Sequence, residues 1–213
     1  MLGATGAVGN HAALTLAKLP DIARLTLLGR RSADNVVGVV VAQHVVDIFA
    51  PTSYEGLLTG HTTAICSLGV GQPSKMSQAE FQKIDRDAVL DFARACKRAG
   101  VEHFELLSAV SANSKSSSFY LRTKGELEDG LKALDFERLS LFQPSMIVTP
   151  TNRYGLGQAV LLKAMPMLDP LLIGPLRKFR SIRVEQLGKA IAMNVLREKR
   201  GVETLRYDDF LAI

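Results

Sequence analysis

The sequence predicts an α/β fold, a doubly wound parallel sheet with helices on both faces. Short apolar runs rich in leucine and β-branched residues alternate with longer stretches of helical periodicity. The chain also opens "MLGATGAVGN", with a glycine at every third position from Gly3 to Gly9. In a βαβ unit such glycines turn the chain sharply out of its first strand, let backbone approach a pyrophosphate, and bring the next helix onto the sheet. Length and composition agree: 213 residues, 47% hydrophobic and 22% charged, suit one domain with a large core. We expect a single domain over 1–213, with a cofactor-binding core over 1–150 and a small helical and loop region over 151–213 on the substrate side.

After the glycines, Val8, Ala12, Leu16 and Leu19 recur at helical intervals until Pro20, so a helix runs to about Lys18. Its N-terminus offers free N–H groups and a partial positive charge to a phosphate. Gly3, Thr5, Gly6, Ala7, Val8 and Gly9 are the candidate cradle; a Gly/Ala-rich helix cap without a ligand is the plain alternative. The runs "RLTLLG" (24–29), "HVVDIF" (44–49), "TTAICSLG" (62–69), "HFELLS" (103–108) and "RLSLFQP" (138–144) read as buried parallel strands. Helices are expected near 52–58, from about Gln78 to Ala99, and from about Ser118 to Leu134. "NVVGVVVAQ" (35–43) fits an extra strand or a hairpin arm. From about Asn152 the chain turns to Gly-, Pro- and Met-rich helices and loops, which often close over the substrate side of such sheets.

One element is short. Only Met1 and Leu2 precede the glycines, where a buried strand usually needs about five residues. Either the written start lies too far downstream or the sheet lacks most of its central strand. The first is favoured, because losing that strand exposes apolar faces on both sides.

Composition narrows the function classes. No apolar run approaches the roughly 20 residues that span a bilayer, and the first residues lack the pattern of a signal peptide; a cytoplasmic protein with no membrane partner is the expectation. Cys66 and Cys96 lie in apolar segments and read as structural thiols. His11, His44, His61 and His103 show no metal-ligand spacing, so no metal site is expected. The net charge of +5 is mostly dispersed among acids. One basic cluster, "PLRKFRSIR" with Arg177, Lys178, Arg180 and Arg183, reads as a solvated loop or as a seat for phosphate or an acidic partner. No nucleic-acid motif or stacking set accompanies it.

The second strand ends "LLGRR", placing Arg30 some 21 residues past Gly9 with Arg31 next to it. An NAD site puts an acid there for the ribose hydroxyls, whereas an NADP site can put arginine for the 2′-phosphate. The planar guanidinium donates bidentately to phosphate and stacks on adenine, so NADP(H) is the expected cofactor. By topology alone, Asp47 and Leu68-Gly69 fall where strand ends border adenine and ribose.

The chemistry is expected in "LLSAVSANSKSSSFYLRTKGELE". Tyr120 and Lys124 are four apart and share a helix face, and Ser108 ends a strand twelve residues before Tyr120. An ammonium beside the phenol favours its ionised form. Tyr120 then exchanges a proton with a substrate hydroxyl or carbonyl, Ser108 hydrogen-bonds the same oxygen, and Lys124 also holds the cofactor ribose. A lone Y-x-x-x-K is common on solvated helices; its place after the glycine motif gives it weight.

On "GATGAVG", Ser108 and "YLRTK" the chain resembles the short-chain dehydrogenase/reductase superfamily. Within it, "HFELLSAVSANSKSSSFYLRTKGELE", with "SLGVGQ" before and "QPSMIV" after, is similar to the atypical group that includes viral Tat-interacting oxidoreductase-like proteins. The resemblance implies a Rossmann fold, NADPH binding and a Ser108/Tyr120/Lys124 triad, with Pro144 bordering the nicotinamide. It fixes no substrate, and it leaves two classes: an enzyme, either a reductase of a small carbonyl compound or an epimerase-like user of the same triad, or an NADPH-binding regulatory module with little turnover and protein partners at its C-terminal region. Three positions depart from the group. Ala109 follows Ser108 where relatives often pair serines, leaving Ser111 a rival; Asp85 replaces an asparagine that supports a proton relay; and Gln143 replaces an arginine. Met165, Met167, Leu168, Leu171 and Leu172 are candidates for a substrate pocket, a partner-facing lid or plain core.

Overall fold

The computed structural model describes residues 1–70, 76–149 and 169–213. Among them α1 spans Ala7–Leu16, β1 Leu25–Gly29, β2 Val41–Val45 and β3 Thr63–Cys66. One long helical rod follows, made of α2 (Gln78–Gln82), a π turn (Lys83–Asp87) and α3 (Ala88–Arg98). Then come β4 (His103–Leu107), α4 (Phe119–Lys132), β5 (Arg138–Phe142) and β6 (Ile147–Val148). The chain closes with β7 (Ile182–Arg183), α5 (Val184–Asn194), β8 (Gly201–Leu205) and α6 (Tyr207–Ala212).

Every strand pair is parallel. β1 pairs with β2, and β3, β4, β5 and β8 form a four-stranded run in that order. Side chains alternate across the strands and build a core on each face. On one face Phe104 and Leu106 of β4 and Leu139 and Leu141 of β5 pack against Val89 and Phe92 of α3 and Leu127 and Leu131 of α4. On the other, Leu25 and Leu27 of β1 and Ile65 of β3 pack under Ala12 and Leu16 of α1 and Leu187 and Ile191 of α5. The doubly wound α/β architecture follows from that two-sided burial.

The central strand position is occupied by two residues. Leu2 bridges Leu28 of β1 and Cys66 of β3, joining the two halves of the sheet. Its N–H donates to the Ile65 carbonyl at 2.8 Å, and its carbonyl accepts from Ser67 N–H at 2.9 Å. The Met1 ammonium donates to the Thr26 carbonyl at 2.6 Å, and burial pushes its pKa down to about 6. Below Met1 the space between β1 and β3 is a cavity of about 420 Å³, bordered by Leu25, Thr26, His61, Thr63 and Ile65.

One strand is displaced from the sequence reading, and others are shorter at their ends. β2 lies at 41–45 rather than 44–49, at the end of the ambiguous "NVVGVVVAQ", so Asp47 stands two residues beyond the strand. The C-terminal residues read as substrate-side helices and loops also supply core. α5 lies on α1 so closely that a Cβ on Gly188 would come within 2.5 Å of His11 Cβ, and β8 extends the sheet beside β5.

At the C-terminal end of α5 the sheet face is polar. Arg138 donates to Glu203 and to the Asn194 side chain, both at 2.8 Å, and Asn194 donates to Glu105 at 2.7 Å. Glu105 is fully buried with one carboxylate oxygen unpartnered among the described residues, and burial pushes its carboxyl up to about 8. Cys66 and Cys96 are buried free thiols, pushed by that burial up to about 11 and about 12. In the basic cluster Arg177 pairs with Asp208, and Arg180 donates to the Leu172 carbonyl and lies over the Tyr207 ring. These contacts fasten the turn at 174–179 to α6. Among the described residues no His/Cys/Asp/Glu cluster has the makings of a metal site, and no helix is long and apolar enough to cross a membrane.

Candidate active site

Packing fixes two of the three glycines. Gly3 has φ +97°, and a Cβ there would lie 2.7 Å from the backbone of Ser67 and Leu68; a Cβ on Gly9 would lie 2.3 Å from the Gly3 oxygen. Both are required for the turn to sit on the end of β3, with or without a ligand. Gly6 is different. The Gly3 oxygen, at 3.3 Å, is the one atom within 4 Å of its would-be Cβ, so its bare face is turned to open space. α1 begins at the next residue with no side-chain cap, leaving the amides of Ala7, Val8 and Gly9 without helical acceptors. Exposed Thr5 borders the same face. The turn fits a pyrophosphate, with backbone donors and positive dipole end directed at it.

Beside the turn lies an open groove of about 640 Å³ lined by Thr5, Asn10, Arg31, Ser32, Asp34 and Asn35 among others. Asn10 and Asn35 clasp each other across its floor, with amide bonds of 2.9 and 2.8 Å. Arg31 faces this groove; Arg30 is exposed but does not line it. Neither arginine is in an ion pair among the described residues. Asp47 is exposed and accepts from the Phe49 N–H at 2.9 Å, so its carboxylate shapes its own turn.

The segment after β3 connects the glycine turn to the second cluster. Ser67 Oγ donates to the Gly3 carbonyl at 3.2 Å, and Leu68 is part of the core packing. Further on, Asp85 Oδ2 accepts from the Val70 N–H at 2.7 Å, and Asp85 Oδ1 meets Lys124 Nζ at 2.8 Å. Gly69 lies against that pair: its would-be Cβ is 3.1 Å from Asp85 Oδ1 and 3.6 Å from Lys124 Nζ. Lys124 is 4% exposed and Asp85 1%, so each ion depends on the other. Burial works against the Lys124 ammonium, but Asp85 and then the Tyr120 phenol outweigh it and raise its pKa.

Tyr120 stands one turn before Lys124 on α4, its ring 5.9 Å from that of Phe81. Burial raises its pKa, Lys124 lowers it, and Asp85 raises it again; the net direction is up. Ser108, buried just past β4, donates to Glu128 Oε1 at 2.5 Å. Gln143 Nε2 donates to the same oxygen at 2.9 Å, and Arg206 donates to the Gln143 carbonyl oxygen at 3.3 Å. The rival Ser111 is exposed in a turn with φ 64°. Pro144 is buried beside this network, and its carbonyl accepts from the Val110 N–H at 2.9 Å.

Sequence reasoning grouped Ser108 with Tyr120 and Lys124, put Gly69 at the adenine and ribose by topology, and missed Glu128 and Arg206. A signal existed for Glu128: it falls four residues after Lys124 and eight after Tyr120, an acid on the buried stripe of an amphipathic helix. Met165, Met167 and Leu168 lie outside the described residues; Leu171 is exposed and Leu172 partly buried.

No family model matches the chain. It is 35% identical over 150 residues to Protein HTATIP2 of Rattus norvegicus, covering 70% of this chain and 62% of that protein. It is 31% identical over 152 residues to Protein fmp52, mitochondrial, of Emericella nidulans, covering 69% and 65%. It is 30% identical over 155 residues to Protein FMP52-2, mitochondrial, of Scheffersomyces stipitis, covering 72% and 68%. The chain therefore spans less than two thirds of the length of the first two. Among solved structures, MoeE5 in complex with UDP-glucuronic acid and NAD has a TM-score of 0.73 at 18% identity, covering 96% of this chain and 74% of that one. Citrobacter sp. triphenylmethane reductase complexed with NADP(H) has a TM-score of 0.63 at 15% identity, covering 97% and 68%. Likeness at these identities is likeness of fold.

Proposed function

Because the chain belongs to the family of HTATIP2 and the FMP52 proteins, atypical members of the short-chain dehydrogenase/reductase superfamily, we propose that it is an NADP(H)-dependent oxidoreductase of a small carbonyl or hydroxyl compound. The observation that carries this reading is the convergence of Tyr120, Lys124 and Asp85 with Gly69, on a segment that also touches the glycine turn. The cofactor supplies hydride chemistry when bound. Gly6 and the amides of Ala7, Val8 and Gly9 hold its pyrophosphate, and Arg31 receives the 2′-phosphate. Lys124 orients the ribose, and Tyr120 exchanges a proton with the substrate oxygen. Ser108 keeps that oxygen in place.

A second reading is an NADPH-binding regulatory module with little turnover. One observation favours it: the Ser108 proton is already committed to Glu128, and the Lys124 charge to Asp85. The exposed Leu171 and Ile173 offer such a module an apolar partner surface. Calorimetric titration with NADPH, then a panel of aldehydes, ketones and quinones, separates the two. The enzyme reading expects NADPH binding, measurable turnover, and a loss of about 10²–10⁴-fold in Tyr120→Phe with binding retained. NADPH binding without any oxidation across the panel supports the module, and full activity in Tyr120→Phe removes the tyrosine mechanism. Cell fractionation decides between the cytoplasmic placement expected from composition and the mitochondrial one carried in the names of the fungal relatives.

A further inference from the structure

The helical rod over 78–98 is regular except at Lys83–Asp87, where it widens into a π turn. Such turns insert a residue into the helical circuit and redirect a side chain, and they recur at functional sites. Here the redirected side chain is Asp85. It divides its two oxygens between the Lys124 ammonium and the Val70 N–H, at 2.8 and 2.7 Å, and is buried against the end of β3. Burial is the largest influence holding Tyr120 protonated, and two charges act on it among the described residues: Lys124 from its own helix, and, less strongly, Asp85 from the π turn. The remaining titratable neighbour of Lys124 is the buried Cys66 thiol. Phe81, which packs on the phenol ring from α2, brings no charge.

We propose that Asp85 is a positioning residue that offsets the field of Lys124 at the Tyr120 hydroxyl and so, with burial, keeps Tyr120 a proton-donating phenol. This rests on the reading of Tyr120 as the acid/base group and sets the direction of its chemistry. An ammonium alone next to a phenol favours tyrosinate, the form that removes a proton from an alcohol. An ammonium closed into a buried ion pair presents almost no net charge. Tyr120 then suits carbonyl reduction: the substrate oxygen takes the phenol proton while its carbon takes a hydride from a reduced nicotinamide. The tyrosinate left behind is reprotonated from solvent.

The test is titration of tyrosine carrying ¹³C at Cζ, followed by NMR in the protein without cofactor or substrate, with Tyr120→Phe assigning the signal. Asp85→Asn is expected to lower the Tyr120 midpoint, and Lys124→Met to raise it, each by about one pH unit or more. The double variant Asp85→Asn/Lys124→Met, which buries no lone charge, is expected to titrate near wild type. Should Asp85→Asn fail to fold, the double variant decides. A double variant titrating a unit or more above wild type means that Lys124 acts unopposed, and it overturns the proposal. So does an unmoved midpoint in a folded Asp85→Asn. The titration requires no NADPH, so a failure to bind cofactor sinks the enzyme reading while leaving this result intact.

Discussion

Ser108 Oγ donates to Glu128 Oε1 across 2.5 Å, and the acceptor is a buried carboxylate from the helix that also carries Tyr120 and Lys124. Glu128 thus ties the end of β4 to α4 and, through Gln143, to the end of β5. Replacing it by alanine leaves two buried polar groups without their acceptor, at a cost of about 1–3 kcal/mol for each group left unsatisfied. Glu128→Ala is expected to lower the denaturation midpoint, and Ser108→Ala, which removes one donor and leaves Gln143 in place, to lower it less. Equal midpoints for Glu128→Ala and wild type in a urea titration would show that the network holds nothing together.

Cofactor preference is expected to follow Arg31 more than Arg30, because Arg31 lines the groove beside Thr5 and Arg30 does not. A charge-assisted bond to the 2′-phosphate contributes about 1.5–3 kcal/mol. Arg31→Ala should therefore weaken NADPH binding by roughly one to two orders of magnitude with NADH nearly unchanged, whereas Arg30→Ala changes the ratio less. Calorimetry with both nucleotides checks this, and the opposite ranking would move the phosphate seat out of the groove.

Glu105 gives stability a pH dependence. Its carboxyl is pushed up to about 8 by burial, so the folded protein holds a proton that the unfolded chain releases near the ordinary glutamate value of 4.5. Its contribution is full below that value and is lost as pH climbs through about 8. Glu105→Gln mimics the protonated form, so the thermal midpoint of this variant should fall less than that of wild type between pH 7 and pH 9. Parallel curves would place a proton elsewhere.

The cavity below Met1 predicts the effect of residues prepended to the chain. Residues of β1 and β3 line it, and the ladder already runs through Met1 and Leu2. A prepended Val-Ala-Val fits as strand, and each ladder bond it makes contributes about 0.5–1.5 kcal/mol. A rise in the thermal midpoint of several degrees is expected, at about 2–4 °C per kcal/mol for a domain of this size. Gly-Ser-Gly serves as the control. An equal rise with both extensions would assign the effect to moving the buried ammonium rather than to filling the slot.

The sequence by itself determined what depends on near neighbours in the chain. Apolar period and glycine spacing gave the parallel strands, the helices flanking them, the glycine turn and the Tyr120/Lys124 face, because these are set by backbone geometry over a few residues. Folding decided what depends on distant residues meeting. β8, with exposed Gly201 and Val202, has no continuous apolar run, and only its place beside β5 makes it a strand. The π turn breaks a helical pattern that the sequence shows as unbroken. Arg30 and Arg31 are neighbours in the chain, and the path of the backbone turns only Arg31 to the groove. Asp85 finds Lys124, and Glu128 finds Ser108, across separations of 39 and 20 residues. Burial is what joins these pairs: a charge or hydroxyl taken out of water has to find its partner inside the protein, and only the packed structure determines which one is within reach.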